Sequence, residues 1–193
     1  MKKYFAVIVH FVLLATGCVS HQMSPHLDYV GEPGFTSPTP DGDSTVVVFL
    51  RPDDVRVFSA SILDGEKFIA ILTEQKHFVY TTTPGDHRFM AHVTRHGPSF
   101  VDAELAAGKI YFIAVKYLES GIRVWLQLIP ITPDGEYWSE LSEWLSQSQL
   151  VRPNDSAQRW FEENRVELLS EQENRNTDRI SQLTANQGVD HAP

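Results

Sequence analysis

Between residues 44 and 131 the chain alternates short β-branched and aromatic runs with turn-forming pairs, a rhythm that few folds accommodate. Residues 45–50 are an unbroken run of Thr, Val, Phe and Leu, which predicts a strand buried on both faces and ended by Arg51-Pro52. Residues 59–63 and 67–72 flank Asp64-Gly65, a pair suited to the positive φ angles of a two-residue hairpin turn. Pro84-Gly85 separates residues 77–82 from 86–93, where Phe89, Ala91 and Val93 fall on one face and Arg88, Met90 and His92 on the other. Val101, Ala103 and Leu105 alternate with Phe100, Asp102 and Glu104. Ala107-Gly108 leads into the apolar run 109–118, and Gly121 into a strand in which Val124, Leu126 and Leu128 alternate with Arg123, Trp125 and Gln127. The pattern predicts a mainly β protein, an antiparallel β-sandwich or partly open barrel of about eight strands over residues 44–131.

A helical period replaces the alternation at Pro133. Tyr137, Trp138, Leu141, Trp144 and Leu145 share one helical face, with Thr132-Pro133-Asp134 as the expected start. Pro153 interrupts, and Asn154 or Asp155 can cap a second helix with Ala157, Trp160, Phe161 and Leu168 on its apolar stripe. Residues 132–169 thus form a helical extension packed on the β domain, with both helices expected across one sheet, covering Trp125. The polar tail, residues 170–193, is expected to be a frayed solvated helix or disordered.

The N-terminus has a different character. Lys2 and Lys3 precede an apolar stretch that ends in Leu14-Ala15-Thr16-Gly17-Cys18, with Cys18 the one cysteine of the chain. Positive start, short apolar core and small residues before a cysteine are the parts of a bacterial lipoprotein signal, so residues 1–17 read as a signal peptide and Cys18 as the acylated residue. An ordinary secretory signal with a coincidental cysteine is the plainer alternative. The apolar run falls short of the roughly 20 residues a membrane-spanning helix needs. Residues 18–43, with Pro25, Pro33, Pro38 and Pro40, read as a flexible Pro/Ser/Gly tether. Val19 and Ser20 follow the cysteine where an inner-membrane retention signal would carry aspartate, so the expected address is the periplasmic face of the outer membrane. Loss of residues 1–17 removes Lys2 and Lys3 and takes the formal charge from −9 to −11. An acidic chain without a basic run is a poor partner for nucleic acid. With no second cysteine, no disulfide can form and the fold must rest on packing.

The strings VVVFLRP, SILDGEKFIAIL, HFVYTTTPGDHRF and AELAAGKIYFIAV closely resemble a family of small bacterial lipoproteins carrying domain of unknown function 2846. The resemblance covers residues 44–131, and WSELSEWL and WFEEN look like an extension carried by some members. It implies a lipid anchor and a β-sandwich without an established activity, with Asp64-Gly65 and Pro84-Gly85 as the matching turns. The DG hairpin followed by a PG-x-H turn is also similar, at the level of architecture, to wall-associated repeat domains.

Candidate chemistry is scattered. His77, His87, His92 and His96 lie in one region with Asp86 and Asp102, so a metal site is conceivable, but His87 and His92 have opposite parity within a strand and no metal is expected. No G-x-S-x-G elbow surrounds Ser59, Ser61 or Ser99, and no glycine loop that would cradle phosphate is present. Asp102 and Glu104 share a strand face and are the carboxylate pair available to the alternative reading, a hydrolase of cell-wall or envelope material. The favoured reading is a non-catalytic binding or structural module, needing no cofactor, held on a membrane through Cys18. Trp125, Trp138, Trp144 and Trp160 would be its recognition surface for an envelope protein or glycan if they are not consumed by packing.

Overall fold

The computed structural model describes residues 26–53, 59–93, 97–120, 123–172 and 180–193. The signal segment, Cys18 and His96 lie outside them. Within them two open sheets face each other. The first is built from β1 (Leu27–Val30), β2 (Thr45–Arg51), β5 (Lys76–Thr82), β8 (Ile110–Ser120), β9 (Arg123–Ile131) and β10 (Gln149–Pro153), in the order β1-β10-β5-β2-β8-β9. The second has β3 (Ala60–Asp64), β4 (Lys67–Leu72), β6 (Gly85–Val93), β7 (Gly97–Leu105) and β11 (Ile180–Leu183), in the order β11-β7-β6-β3-β4.

The mainly β sandwich stands, but about eight antiparallel strands must be corrected to eleven, among the described residues, in two mixed sheets that do not close into a barrel. The pairs β2–β8, β10–β5 and β11–β7 are parallel. Three of the strands come from stretches that composition marks as something else: β1 from the tether, β10 from the link between the helices, β11 from the polar tail. Each has only four or five residues and lies at or next to a sheet edge. Such a strand needs backbone pairing and one anchoring side chain, here Leu27, Val151 and Leu183, all buried. Leu27–Val30 therefore belongs to the sandwich and not to a tether.

The unbroken apolar runs read as strands buried on both faces, and they are. In β2, Val47 and Phe49 enter the core between the sheets while Val46, Val48 and Leu50 face outward beneath α1 (Trp138–Gln147). In β8, Tyr111, Ile113 and Val115 point inward and Ile110, Phe112 and Ala114 outward. Burial of one such Phe or Leu stabilises by roughly 1.5–3 kcal/mol, so these two neighbouring strands carry much of the fold.

The helices do not share a sheet. Leu141 and Leu145 of α1 cover the outer face of β2 and β8, whereas α2 (Asp155–Gln172) lays Phe161 and Leu168 on Leu63, Met90 and Phe100, the outer face of the other sheet. Each sheet has apolar residues on both faces, and one helix protects each outer face. Helix α1 begins at Trp138 instead of at Thr132-Pro133, because Gly135 N–H folds back on the Thr132 carbonyl in a turn. Asn154 caps α2: its Oδ1 accepts from the backbone N–H of Ser156 at 3.0 Å and of Ala157 at 3.3 Å.

The chain's end is part of the sandwich. Tyr111 Oη accepts from Ala106 N–H at 2.8 Å and donates to the Ala185 carbonyl at 2.9 Å, and Val189 exchanges backbone hydrogen bonds with Ile110. Gly188 crosses this ring so closely that a Cβ there would sit 2.6 Å from Tyr111 Cζ. The ring is buried and held at its hydroxyl, so it has no room to yield. Gly188→Ala should lift the last residues and destabilise by about 1–3 kcal/mol. Chemical denaturation checks the energy, and protease cutting confined to the last residues checks the location; a variant as stable and as resistant as the parent would contradict it.

Candidate functional site

The β3–β4 turn sits one residue later than the sequence suggests. Asp64 ends β3 opposite Lys67, and Gly65, with φ +54°, and Glu66 form the loop. This turns Asp64 from a loop residue into a junction. Its Oδ2 accepts from Tyr80 Oη at 3.0 Å and lies 2.8 Å from His87 Nδ1, while His87 Nε2 lies 2.8 Å from the Thr83 carbonyl oxygen. Lys67 Nζ lies over the Tyr80 ring and donates to its hydroxyl at 3.3 Å. The network ties the β3–β4 hairpin to the β5–β6 connection. Both ring nitrogens of His87 thus lie at hydrogen-bond distance from oxygen atoms of the protein, one a side-chain carboxylate and one a backbone carbonyl.

A second junction lies at the opposite pole. Arg51 faces inward at the end of β2 and is 0% exposed; its Nε donates to Asp53 Oδ1 at 3.1 Å, Nη1 reaches the Leu72 carbonyl, and the guanidinium lies 5.0 Å from the Tyr117 ring. Asp53 Oδ2 accepts the Tyr117 N–H at 3.1 Å. Burial pushes the Tyr117 hydroxyl up to about 12, against the pull of Arg51, so it stays protonated.

The other candidate groups are also engaged. His77 and Ser148 form a buried Ser–His pair at 2.8 Å that spans distant parts of the chain and that no local motif announces. Ser148 Oγ gives its proton to the Leu145 carbonyl, so His77 Nδ1 is the donor and the serine is not polarised for attack. Burial drives His77 down to about 4. His92 is buried on the outer face beside α2, lowered by burial against the opposing pull of Glu167 and Glu171. Ser61 Oγ donates to the His92 carbonyl, Ser99 Oγ accepts the Leu128 N–H across the sandwich, and Ser59 is exposed outside any strand. Asp102 faces Arg88 in register and accepts from its Nη1 at 3.1 Å, while Glu104 stands exposed without sharing that partner. Among the described residues no three His, Cys, Asp or Glu side chains converge as a metal site.

The tryptophans divide between the two sides of the sandwich. Trp138 and Trp144 lie half-buried on α1, Trp138 edge-on to Phe112. Trp144 and Tyr137 flank the Lys116 ammonium at 4.7 and 4.5 Å from their ring centroids. Lys116 pairs with Gln127 and, two residues on, Leu118 pairs with half-buried Trp125, so Trp125 extends the same outer face past the residues α1 covers. Trp160 belongs to α2 and packs near His26 with the core on the other side. The sequence flags the tryptophans; Lys116, their cationic partner, is missed, although it is the one charged residue within residues 110–118. The resulting surface, Tyr137, Trp144, Lys116, Leu118 and Trp125, can stack and make apolar and cation–π contacts. No known protein family matches the chain, and no characterised protein matches it.

Proposed function

We propose that the chain is a lipid-anchored lipoprotein of the bacterial cell envelope whose β-sandwich acts as a non-catalytic binding or structural module. The observation that carries this reading is Leu14-Ala15-Thr16-Gly17-Cys18, with two lysines and a short apolar core before it and no other cysteine in the chain. Acylation of Cys18 would hold the protein on a membrane, at about 0.8 kcal/mol per buried methylene. Val19 and Ser20 favour the periplasmic face of the outer membrane. The resemblance of residues 44–131 to the lipoproteins of unknown function supports the same assignment. The internal bonding of His77, His87, Ser148 and Asp102 favours a scaffold over the hydrolase alternative, since each group is committed to holding two segments together. The partner, an envelope protein or a glycan, would meet the aromatic face of β8, β9 and α1.

Growth with a radioactive fatty acid tests the anchor. The parent should incorporate label and fractionate with outer membranes, and Cys18→Ser should incorporate none; equal labelling of the two would defeat the proposal.

A further inference from the structure

Resting on the Cys18 anchor proposed above, we infer that the corner formed by His26, Trp160 and the start of α2 is a membrane-docking surface, seated on the phospholipid interface that holds the acyl chains. The argument begins with chain length. Only residues 19–26 separate Cys18 from β1, and eight residues reach at most ~29 Å when fully extended. The strands of the sandwich, up to eleven residues long at roughly 3.3 Å each, span a comparable distance. A body of that size on so short a lead presents to the bilayer the end at which the lead enters.

That end is well defined. Asn154 N–H donates to the His26 carbonyl at 3.3 Å, His26 Nδ1 meets Ser156 Oγ at 3.1 Å, and the His26 ring lies 6.4 Å from the Trp160 indole. The chain therefore enters against the first turns of α2. Trp160 is half-buried, with part of the indole in the core and part at the surface; Arg159, next to it in α2, and Arg152, opposite Asp28 on β10, are exposed. An indole so divided is suited to the interface between acyl chains and headgroups. Asp28, Asp155, Glu162 and Glu163 balance the arginines nearby, so the docking rests on the indole and the lead and not on net charge.

The same geometry sends the other aromatic surface away from the membrane. The start of β1 is on the side of Tyr80 and Thr82, since Leu27 pairs with Pro153 and β10 runs parallel to β5. Lys116 lies beyond Ala114, which pairs with Leu50 at the opposite pole beside Arg51. Trp144, against Lys116, and Trp125, opposite Leu118, are thus distal.

The test uses the full lipidated protein in vesicles of phosphatidylethanolamine and phosphatidylglycerol containing a phosphatidylcholine brominated high on its acyl chains. Bromolipid should quench part of the tryptophan emission, Trp160→Phe should lose most of that quenching, and Trp144→Phe and Trp125→Phe should keep it. A polarity-sensitive dye on Arg159→Cys, which leaves the indole in place, should shift to the blue on reconstitution, and the same dye on Glu143→Cys, exposed on α1, should not. Quenching that survives Trp160→Phe, or a dye at position 159 indifferent to vesicles in a protein that carries fatty-acid label, overturns the docking surface and leaves the anchor standing. A chain that takes no label removes both.

Discussion

Arg51→Ala should lower the free energy of unfolding by about 3–5 kcal/mol, the range for removing one member of a buried ion pair and leaving its space unfilled. The loss has three sources in the geometry. Asp53 would keep a carboxylate turned toward a site with no cation, the Leu72 carbonyl would lose a donor from the facing sheet, and Tyr117 would lose the guanidinium over its ring. Because Arg51 lies on β2 and Leu72 on β4, the side chain links the two sheets at a pole where the strands end. Urea denaturation of parent, Arg51→Ala, Asp53→Ala and the double variant measures the coupling. The double variant should lose clearly less than the two single losses combined, since the second substitution removes the charge that the first left uncompensated. A loss below about 1 kcal/mol in Arg51→Ala would mean that the guanidinium contributes no more than an exposed pair does.

Arg51 also shows where sequence reading reaches its limit. Its place after an apolar run and before Pro52 suggests the end of a strand, and β2 ends there. Nothing local says that an arginine at this point turns inward, because its partners are a carbonyl from another hairpin and a carboxylate that also serves Tyr117, more than sixty residues away. The strands with strong period or unbroken burial, β2, β6, β8 and β9, were legible for the opposite reason: their patterns are written into consecutive residues. Asn154 was legible as a cap because its chemistry acts within three residues.

What escaped was non-local. Parallel pairing of β2 with β8 depends on how the chain crosses between sheets, and the short strands β1, β10 and β11 exist because neighbours offer unpaired backbone. The stretches that hold them, a Pro/Ser/Gly segment, a link between helices and a polar tail, carry no strand pattern of their own. The histidine parity was readable, with His87 toward the inner face and His92 toward the outer, yet the partners that occupy these rings, Asp64 and the residues of α2, were not. The four tryptophans could be found by inspection and not sorted, because the side of the sandwich each helix covers is set by the crossovers and not by the helix's own stripe.

His77 carries the second large expectation, an acid-labile fold. Its ordinary value is 6.5, and burial holds it near 4 in the folded chain, while the unfolded chain regains the ordinary value. Between those two values the unfolded state binds the proton and the folded state does not, so falling pH favours unfolding. The stability from keeping this ring neutral is fully present above about pH 6.5, declines as pH falls below it, and is lost by about pH 4, a total of about 3 kcal/mol at 1.36 kcal/mol per pH unit. His92, also lowered by burial, changes stability with the same sign, and Glu167 and Glu171 moderate it. Protonating His77 would put a charge beside Phe35 and under the C-terminal end of α1, where Ser148 already spends its hydroxyl on Leu145. Urea midpoints measured from pH 7.5 to 4 should fall for the parent and fall less steeply for His77→Gln, which keeps a neutral donor for Ser148 and cannot titrate. Comparing slopes removes whatever constant cost the substitution has. If the two curves run parallel throughout, the buried ring is not the group that couples folding to pH.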